Sequence, residues 1–385
     1  MHIPDGYLSP VTCVSLYGAA VPFWCVALRR LRSRLHTRLV PLLSLFAAFS
    51  FVIMMFNIPL PGGTSGHAVG LGISAAVLGP WASMIAISIA LLIQAVLFGD
   101  GGITALGANC FNMAIAGSLA AWLIYRFISG NSPITSRRRV VACAAAGYLA
   151  INVAALLAAI EFGIQPLFFK DASGAPLYAP YPLSISIPAM MIGHLSFAGL
   201  AELIISGGVF AYLQKTNLPL LQRDGTPAGQ PGLAPLSYRP LLAGLALLMI
   251  LTPLGLLTVG SAWGEWSPKD FHDPVTRRQI ATASGHLAPP GDAPLGMEKL
   301  ATVWTAPIPA YAPAVLRSTA FGYMMSALLG GGVIILTLQG LMWMIARSAQ
   351  AASRGALQKR DGAELAAASV SVVRDLPRRQ RPLDG

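Results

Sequence analysis

The sequence predicts an all-α polytopic membrane protein with about nine transmembrane segments, its N-terminus extracytoplasmic and its C-terminus cytoplasmic. Three observations carry that reading. Of 385 residues, 55% are hydrophobic and only 11% charged, and the mean hydropathy is +0.64, too apolar for a soluble surface. The apolar residues fall in runs close to the roughly 20 that a helix needs to cross hydrocarbon. The basic residues gather in short clusters between those runs, as topology signals do. The formal net charge of +11 arises from these clusters and gives no reason to invoke nucleic acid.

Taken in order, the clear spanning candidates are Pro10–Leu28, Val40–Phe56, Trp81–Phe98, Thr104–Tyr125, Val140–Glu161, Ser184–Leu213, Leu241–Val259 and Thr319–Ala346. Between the second and third lies His67–Gly79, which is apolar but short and carries Gly70, Gly72 and Gly79. Irregular backbone at membrane depth is tolerated only where protein surrounds it or it lines a site. Counting this segment, with the N-terminus outside, puts Arg29, Arg30, Arg32, Arg34, Arg38, Arg126, Arg137–Arg139, Lys215, Arg223, Arg239 and the basic residues of the tail inside, 20 of the 26 Lys and Arg. Omitting it sets Arg137–Arg139 and the tail opposite Arg29–Arg38. Nine crossings is the better reading.

Composition then divides the chain. Residues 1–213 form a membrane domain of seven segments, and 214–240, polar and rich in Gly and Pro, a cytoplasmic linker. Residues 241–346 form a two-helix unit with an external loop over 260–318, and 347–385 an Ala-rich, then basic, cytoplasmic tail. The layout is that of two proteins fused into one. The four cysteines, Cys13, Cys25, Cys110 and Cys143, are isolated in or beside apolar runs and read as packing residues.

Chemistry concentrates in three polar stretches. The first is Met1-His2-Ile3-Pro4-Asp5-Gly6-Tyr7-Leu8-Ser9-Pro10. The α-amino nitrogen of Met1, the deprotonated amide nitrogen of His2 and the His2 imidazole can wrap a divalent ion in fused rings, leaving one planar place open. Planar nitrogen coordination favours Ni(II) or Cu(II). The chelate requires Met1 to be the mature N-terminus, and a bulky second residue such as histidine generally blocks methionine removal. On His2 alone, an accident of a frayed end is the simpler reading.

The second stretch is Pro59-Leu60-Pro61-Gly62-Gly63-Thr64-Ser65-Gly66-His67, a fixed non-helical turn ending in a histidine. That imidazole either fills the open place of the chelate or caps a membrane helix through a hydrogen bond. Its shared side with His2 and its glycine-rich approach favour the ligand. The third stretch runs from Leu97 to Asn109 through Asp100-Gly101-Gly102, a tight turn. Asp100, Asn109 and Ser65 are candidates for a second shell that orients the imidazoles.

Two ionisable residues stand inside an apolar run. His194 and Glu202 are eight apart, about 80° around a helix. Such groups often mark pathways, here a proton or metal relay toward the cytoplasm. A His and Glu satisfied by neighbouring helices is the simpler alternative. His272 and His286, in the long loop, either scavenge metal or lie on a solvated surface, and the solvated surface is the default.

The segments MHIPDGYLSP, GGTSGHAVG, LGPWA and FGDGGITALGAN together resemble the nickel/cobalt substrate-binding component of energy-coupling factor importers, over roughly Met1–Gln214. The later unit, with Pro253-Leu254-Gly255-Leu256 and Ala262-Trp263-Gly264-Glu265-Trp266, resembles the small two-helix accessory subunit of the same transporters. The resemblance implies that Met1, His2 and His67 supply the metal's nitrogen ligands at an externally facing site. It also implies residence in the bacterial cytoplasmic membrane and three partners, a transmembrane coupling subunit and two ATP-binding cassette subunits. Ser15 and Ala19 offer a small-residue surface for such docking.

The remaining motifs set bounds on function. There is no GxxxxGK[ST] phosphate loop, so ATP would be hydrolysed by other polypeptides. There is no HExxH motif, and Asp100 lacks an intramembrane aspartate partner, which argues against an intramembrane protease. The expected role is therefore non-catalytic: capture of Ni(II) for ATP-driven uptake, with the metal as transported substrate and no permanent cofactor. Co(II) uptake is the alternative, and a passive or proton-coupled permease the more distant one.

Overall fold

The computed structural model of the chain describes residues 1–32, 39–221, 238–258, 260–313, 315–340, 343, 344 and 347. Helices dominate because long apolar stretches of Ala, Leu and Ile leave the backbone polar groups no partners but one another. In chain order they are α1 (Pro10–Arg32), α2 (Leu39–Met54), α3 (Leu71–Leu78), α4 (Pro80–Ile93), α5 (Leu106–Asn109), α6 (Ser118–Ser129) and α7 (Arg137–Phe168). Then come α8 (Leu183–Gly193), α9 (Gly199–Thr216), α10 (Leu218–Leu221), α11 (Arg239–Leu251), α12 (Pro274–Ala283), α13 (Leu295–Leu300) and α14 (Thr319–Gly340). A two-stranded antiparallel hairpin, β1 (Ile58–Leu60) and β2 (Thr64–Gly66), pairs Ile58 with Gly66 and turns at Gly62 and Gly63, both at positive φ.

Three wide π-type turns interrupt or extend these helices. Cys110–Gly117 makes α5 and α6 one continuous helix, His194–Ala198 does the same for α8 and α9, and Gln94–Phe98 prolongs α4. The described residues accordingly contain seven helices long and apolar enough to cross a membrane, plus the shorter apolar α2. The predicted ninth segment has a different form. Its histidine end is irregular, and only Leu71–Leu78 is helical, a rise of about 12 Å against roughly 30 Å of hydrocarbon. Of that helix, all but Leu78 is buried, so protein surrounds it.

The centre of the bundle is α7, against which α3, α6, α8 and α9 pack. Its buried face is a column of small residues, Ala142, Ala146, Gly147, Ala150, Ala154, Ala155, Ala158 and Gly163. Small side chains let membrane helices approach closely. At Gly147 a Cβ would stand 2.8 Å from the Ser206 hydroxyl, and at Gly72 one would collide with the Cys143 carbonyl. Cys13, Cys110 and Cys143 are buried, Cys25 is exposed on α1, and all four are free.

The loop over 260–313 is folded. Trp263 stacks edge-on with Phe162 and Trp266, and Phe271, Ile280 and Met297 are fully buried. Arg277 ties it together by donating to the carbonyls of Phe271, Pro289, Pro290 and Gly291. Most of the predicted 214–240 linker, at 222–237, and nearly all of the 347–385 tail lie outside the described residues. The chain forms two compact units, Met1–Leu336 and Thr337–Gly385.

Candidate metal centre

The first nine residues are threaded into the bundle. Asn109 grips Ile3 on both sides of its peptide, accepting from Ile3 N–H at 2.8 Å and donating to Ile3 C=O at 3.0 Å. Gly102 N–H donates to the same carbonyl at 2.8 Å. A Cβ on Gly102 would collide with the Asp5 nitrogen, so glycine is what lets the two strands meet. The Asp5 carboxylate accepts from Ile103 N–H at 3.1 Å and Thr104 N–H at 2.7 Å, and from the Thr104 hydroxyl. Ser9 N–H reaches Gln165 Oε1 at 3.0 Å, and Ser9 Oγ accepts from Thr12 N–H, capping α1 ahead of Pro10.

That threading converges the nitrogen donors. His67 Nδ1 lies 3.1 Å from the Ala68 carbonyl, which can only accept, so Nδ1 carries the proton and Nε2 presents a lone pair. His67 Nε2 stands 3.2 Å from His2 Nδ1, with the ring centroids 4.8 Å apart and the planes inclined at 34°. His2 Nδ1 is also 3.1 Å from Asp100 Oδ1, while His2 Nε2 is buried without a hydrogen-bond partner. The Met1 ammonium donates to Glu265 Oε1 at 2.9 Å. Met1 and His2 are almost fully buried, whereas both carboxylates keep 21% exposure. Burial, then the neighbouring His2 ring and the N-terminal ammonium, holds the His67 imidazole well below the usual histidine pKa.

Each partner is itself fixed. Asp100 Oδ2 accepts from the Tyr311 hydroxyl at 2.6 Å and from Gln94 Nε2 at 3.5 Å. The His67 loop is anchored from beneath by Glu202, whose carboxylate accepts from the N–H groups of Val69 at 2.7 Å, Gly70 at 2.8 Å and Gly72 at 3.4 Å. The Ser206 hydroxyl donates to its other face at 2.9 Å. A carboxylate at the N-terminus of α3 meets both the orphan N–H groups and the positive end of the helix dipole. From above, Tyr7 Oη donates to Trp266 C=O at 2.8 Å and accepts from Trp266 N–H at 3.0 Å, and Ser65 N–H donates to Ser261 C=O at 3.2 Å.

The sequence-predicted residues therefore fall into groups. Met1, His2, His67 and Asp100 come together. Asn109 lies close by but orients the Ile3 backbone, not an imidazole, and Ser65 contributes through its backbone in β2. Glu202 is the clamp on the His67 loop. His194 is buried with Nδ1 2.8 Å from Met190 C=O, and no bond joins it to Glu202. His272 and His286 are exposed, the former 3.8 Å from Asp292. Sequence reasoning missed Glu265 and Tyr311, which come from a loop read as solvated. The Trp-Gly-Glu-Trp cluster was the available signal, since two tryptophans in a solvated loop are costly. Among the described residues no group of three or more His, Cys, Asp or Glu side chains is arranged to hold a metal ion.

Residues 2–220 match the family model described as the cobalt uptake substrate-specific transmembrane region. The fused nickel transport protein NikMN of Rhodobacter capsulatus is 54% identical over 335 residues, covering 87% of this chain and 95% of that one. The probable fused nickel transport protein LarMN of Lactiplantibacillus plantarum is 40% identical over 89% of this chain and 97% of its own length. The cobalt transport protein CbiM of Geobacter sulfurreducens is 32% identical over 70% of this chain and 75% of its own length. A crystal structure of a transition metal transporter superposes with a TM-score of 0.53 at 50% identity, covering 56% of this chain and 93% of that one. With a buried pair of imidazoles beside a buried amine in a polytopic helical bundle, this chain belongs to the cobalt-uptake substrate-specific transmembrane family.

Proposed function

We propose that the chain captures Ni(II) from the extracytoplasmic side for uptake across the bacterial cytoplasmic membrane. The ligands are the Met1 amine, the deprotonated His2 amide, His2 Nδ1 and His67 Nε2. The observation that carries the reading is the 3.2 Å approach of His67 Nε2 to His2 Nδ1 beside a buried Met1 nitrogen. Two imidazole nitrogens that close are adjacent corners of one coordination plane, and planar nitrogen geometry suits Ni(II) better than the higher-coordinate habits of Co(II). The names of the NikMN and LarMN relatives support nickel. Cobalt is the second reading, supported by the names of the CbiM relatives.

In this reading metal capture displaces protons. The ammonium and the His2 amide each give one up, and the His2 ring proton moves to Nε2 so that Nδ1 can bind. Glu265 and Asp100, hydrogen-bonded to the amine and to His2 Nδ1, stand where those protons leave. The loop bearing Glu265 and Tyr311 covers the site, so it opens before a hydrated ion can reach the nitrogens.

Inward movement is powered by partners, a transmembrane coupling subunit and two ATP-hydrolysing subunits. They meet the bundle through exposed faces such as that around Ser15 of α1. The test is Ni(II) titration of full-length protein with a free N-terminus. The parent chain should bind one ion tightly with the absorption of planar diamagnetic nickel. His2→Ala, His67→Ala and a one-residue N-terminal extension should each weaken binding at least a hundredfold while the protein stays folded. Unchanged affinity in His67→Ala, or in the extended chain, refutes the site. In vesicles, uptake driven by a pH gradient without ATPase partners refutes the importer and leaves a permease.

A further inference from the structure

Asp100 faces His2, and what fixes Asp100 comes from the later half of the chain. Residues 304–311 of the external loop dock on the wide turn Gln94–Phe98, a helix irregularity of the kind that frequently marks functional sites. The Trp304 indole donates to Val96 C=O at 3.0 Å, and Ile308 N–H donates to Leu97 C=O at 2.9 Å. Ala306 lies so close to Gly99 that a Cβ added there would stand 3.2 Å from its own. The docked stretch ends at Tyr311. This ring is 5% exposed, stacks on Phe98 with centroids 4.7 Å apart, and meets Phe51 and Tyr323 edge-on.

Two features aim the Tyr311 hydroxyl. Ala310 and Tyr311 both hold left-handed backbone, at φ 51° and 59°, which residues other than glycine adopt only where their surroundings impose it. Here the three rings impose it, together with Ser326, whose hydroxyl donates to Tyr311 C=O at 2.9 Å. The hydrogen bonds also run in one direction. Gln94 is fully buried and can only donate through Nε2, so the Tyr311 oxygen accepts from it at 3.0 Å and sends its own proton to Asp100 Oδ2 at 2.6 Å. Burial, then the Asp100 charge, holds the hydroxyl well above the ordinary tyrosine pKa, so it remains a donor. With Oδ2 occupied, Oδ1 is left to face His2 Nδ1 at 3.1 Å. Gln94 alone, 3.5 Å from Oδ2, is at the limit of hydrogen bonding and would not hold a carboxylate that is 21% exposed to water.

We propose that Tyr311 is a positioning residue of the metal centre: through Asp100 it sets the orientation of the His2 ring, and with it the preference for an ion that demands planar coordination. This deepens the metal-capture reading and rests on it. In that reading His2 gives the ion both its amide nitrogen and Nδ1, and the chelate ring through Cα, Cβ and Cγ closes flat only at one orientation of the imidazole. Outer partners that orient a ligand in this way are worth nearly as much to a metal site as the ligands themselves. Ni(II) suits planar nitrogen better than Co(II) does, so a loosened ring costs nickel more than cobalt. Tyr311 itself does not touch the ion.

The test titrates full-length protein with a free N-terminus, with Ni(II) and separately with Co(II), in the parent, Tyr311→Phe, Asp100→Ala and the double variant. Tyr311→Phe keeps the stacked ring and removes only the hydroxyl. It should weaken Ni(II) binding about tenfold and lower the preference for Ni(II) over Co(II) by about threefold or more. In the Asp100→Ala background the same substitution should change Ni(II) affinity less than about twofold, because residues that act through one another are not additive. The Met1 amine of Tyr311→Phe should react with an amine-directed label as slowly as the parent's, which reports a loop still docked. Unchanged Ni(II) affinity in Tyr311→Phe overturns the assignment. So does an equal loss for both metals, an equal loss with and without Asp100, or faster amine labelling, each of which would make the residue an anchor of the loop and no more. Failure of the parent itself to bind nickel sinks the capture reading instead, so the two are told apart.

Discussion

At the scale of single residues, the centre is a problem of proton placement. His67 is buried among groups that disfavour its charged form, so folding withholds a proton that the unfolded chain takes up near the ordinary value of 6.5. Where the unfolded state binds more protons, stability rises with pH. As the medium is acidified below 6.5, the metal-free protein should therefore lose stability, down to the depressed pKa of the folded state. A thermal-unfolding series from pH 7.5 to 5 should show the midpoint falling, and His67→Asn should flatten that fall. The same burial favours the neutral, metal-ready form of His67. Much of this was legible in sequence. A histidine at position 2 and another after Gly62-Gly63-Thr64-Ser65-Gly66 are unusual enough to be noticed, but their 3.2 Å approach is a fact of tertiary structure.

At the scale of elements, α3 is the piece on which the centre depends. Eight residues make a weak helix by themselves, and this one has αL glycine before it and no side-chain cap of its own. Glu202, from a helix more than a hundred residues later in the chain, supplies the missing acceptor. Glu202→Gln turns one acceptor into a donor facing an N–H, leaving at least one buried donor unpaired at a cost of about 1–3 kcal/mol. The expected outcome is a lower unfolding midpoint together with at least tenfold weaker Ni(II) binding, because the loop that carries His67 loosens. Normal affinity in a folded Glu202→Gln protein would detach the clamp from the site. The sequence marked Glu202 as costly at its depth. It could not say which backbone that cost serves, because nothing local pairs residue 202 with residues 69–72.

At the scale of the whole molecule, the later unit is part of the first compact unit, not an appendage. Its loop pairs Ser65 with Ala262, brackets Tyr7 with Trp266, and brings Glu265 to the N-terminus and Tyr311 to Asp100. Tyr323 and Gly330 of α14 continue the contact, the tyrosine donating to Met55 C=O at 3.0 Å and the glycine lying against the Phe51 ring. These contacts are non-covalent, so severing the chain within 222–237 and producing both halves together should yield halves that purify as one complex and retain Ni(II) uptake. A tag on one half that recovers it alone from mild detergent would contradict this. Glu265→Ala within the intact chain should leave the halves associated yet expose the Met1 amine to amine-reactive labelling, at least severalfold faster than in the parent.

Composition, run length and the distribution of arginine determined by themselves that this is a helical membrane protein, and the short motifs determined its family. Those features are local: hydrocarbon selects apolar runs of a given length, and a turn of glycines with a terminal histidine is visible one residue at a time. The tertiary structure alone decided what surrounds the nitrogens. Glu265 at the amine, Asp100 at His2 and Glu202 under the His67 loop come from three distant stretches of chain. Such groups meet because a buried charge or lone pair must be answered by some partner, and which partner answers it depends on how helices pack, which no single stretch of sequence contains.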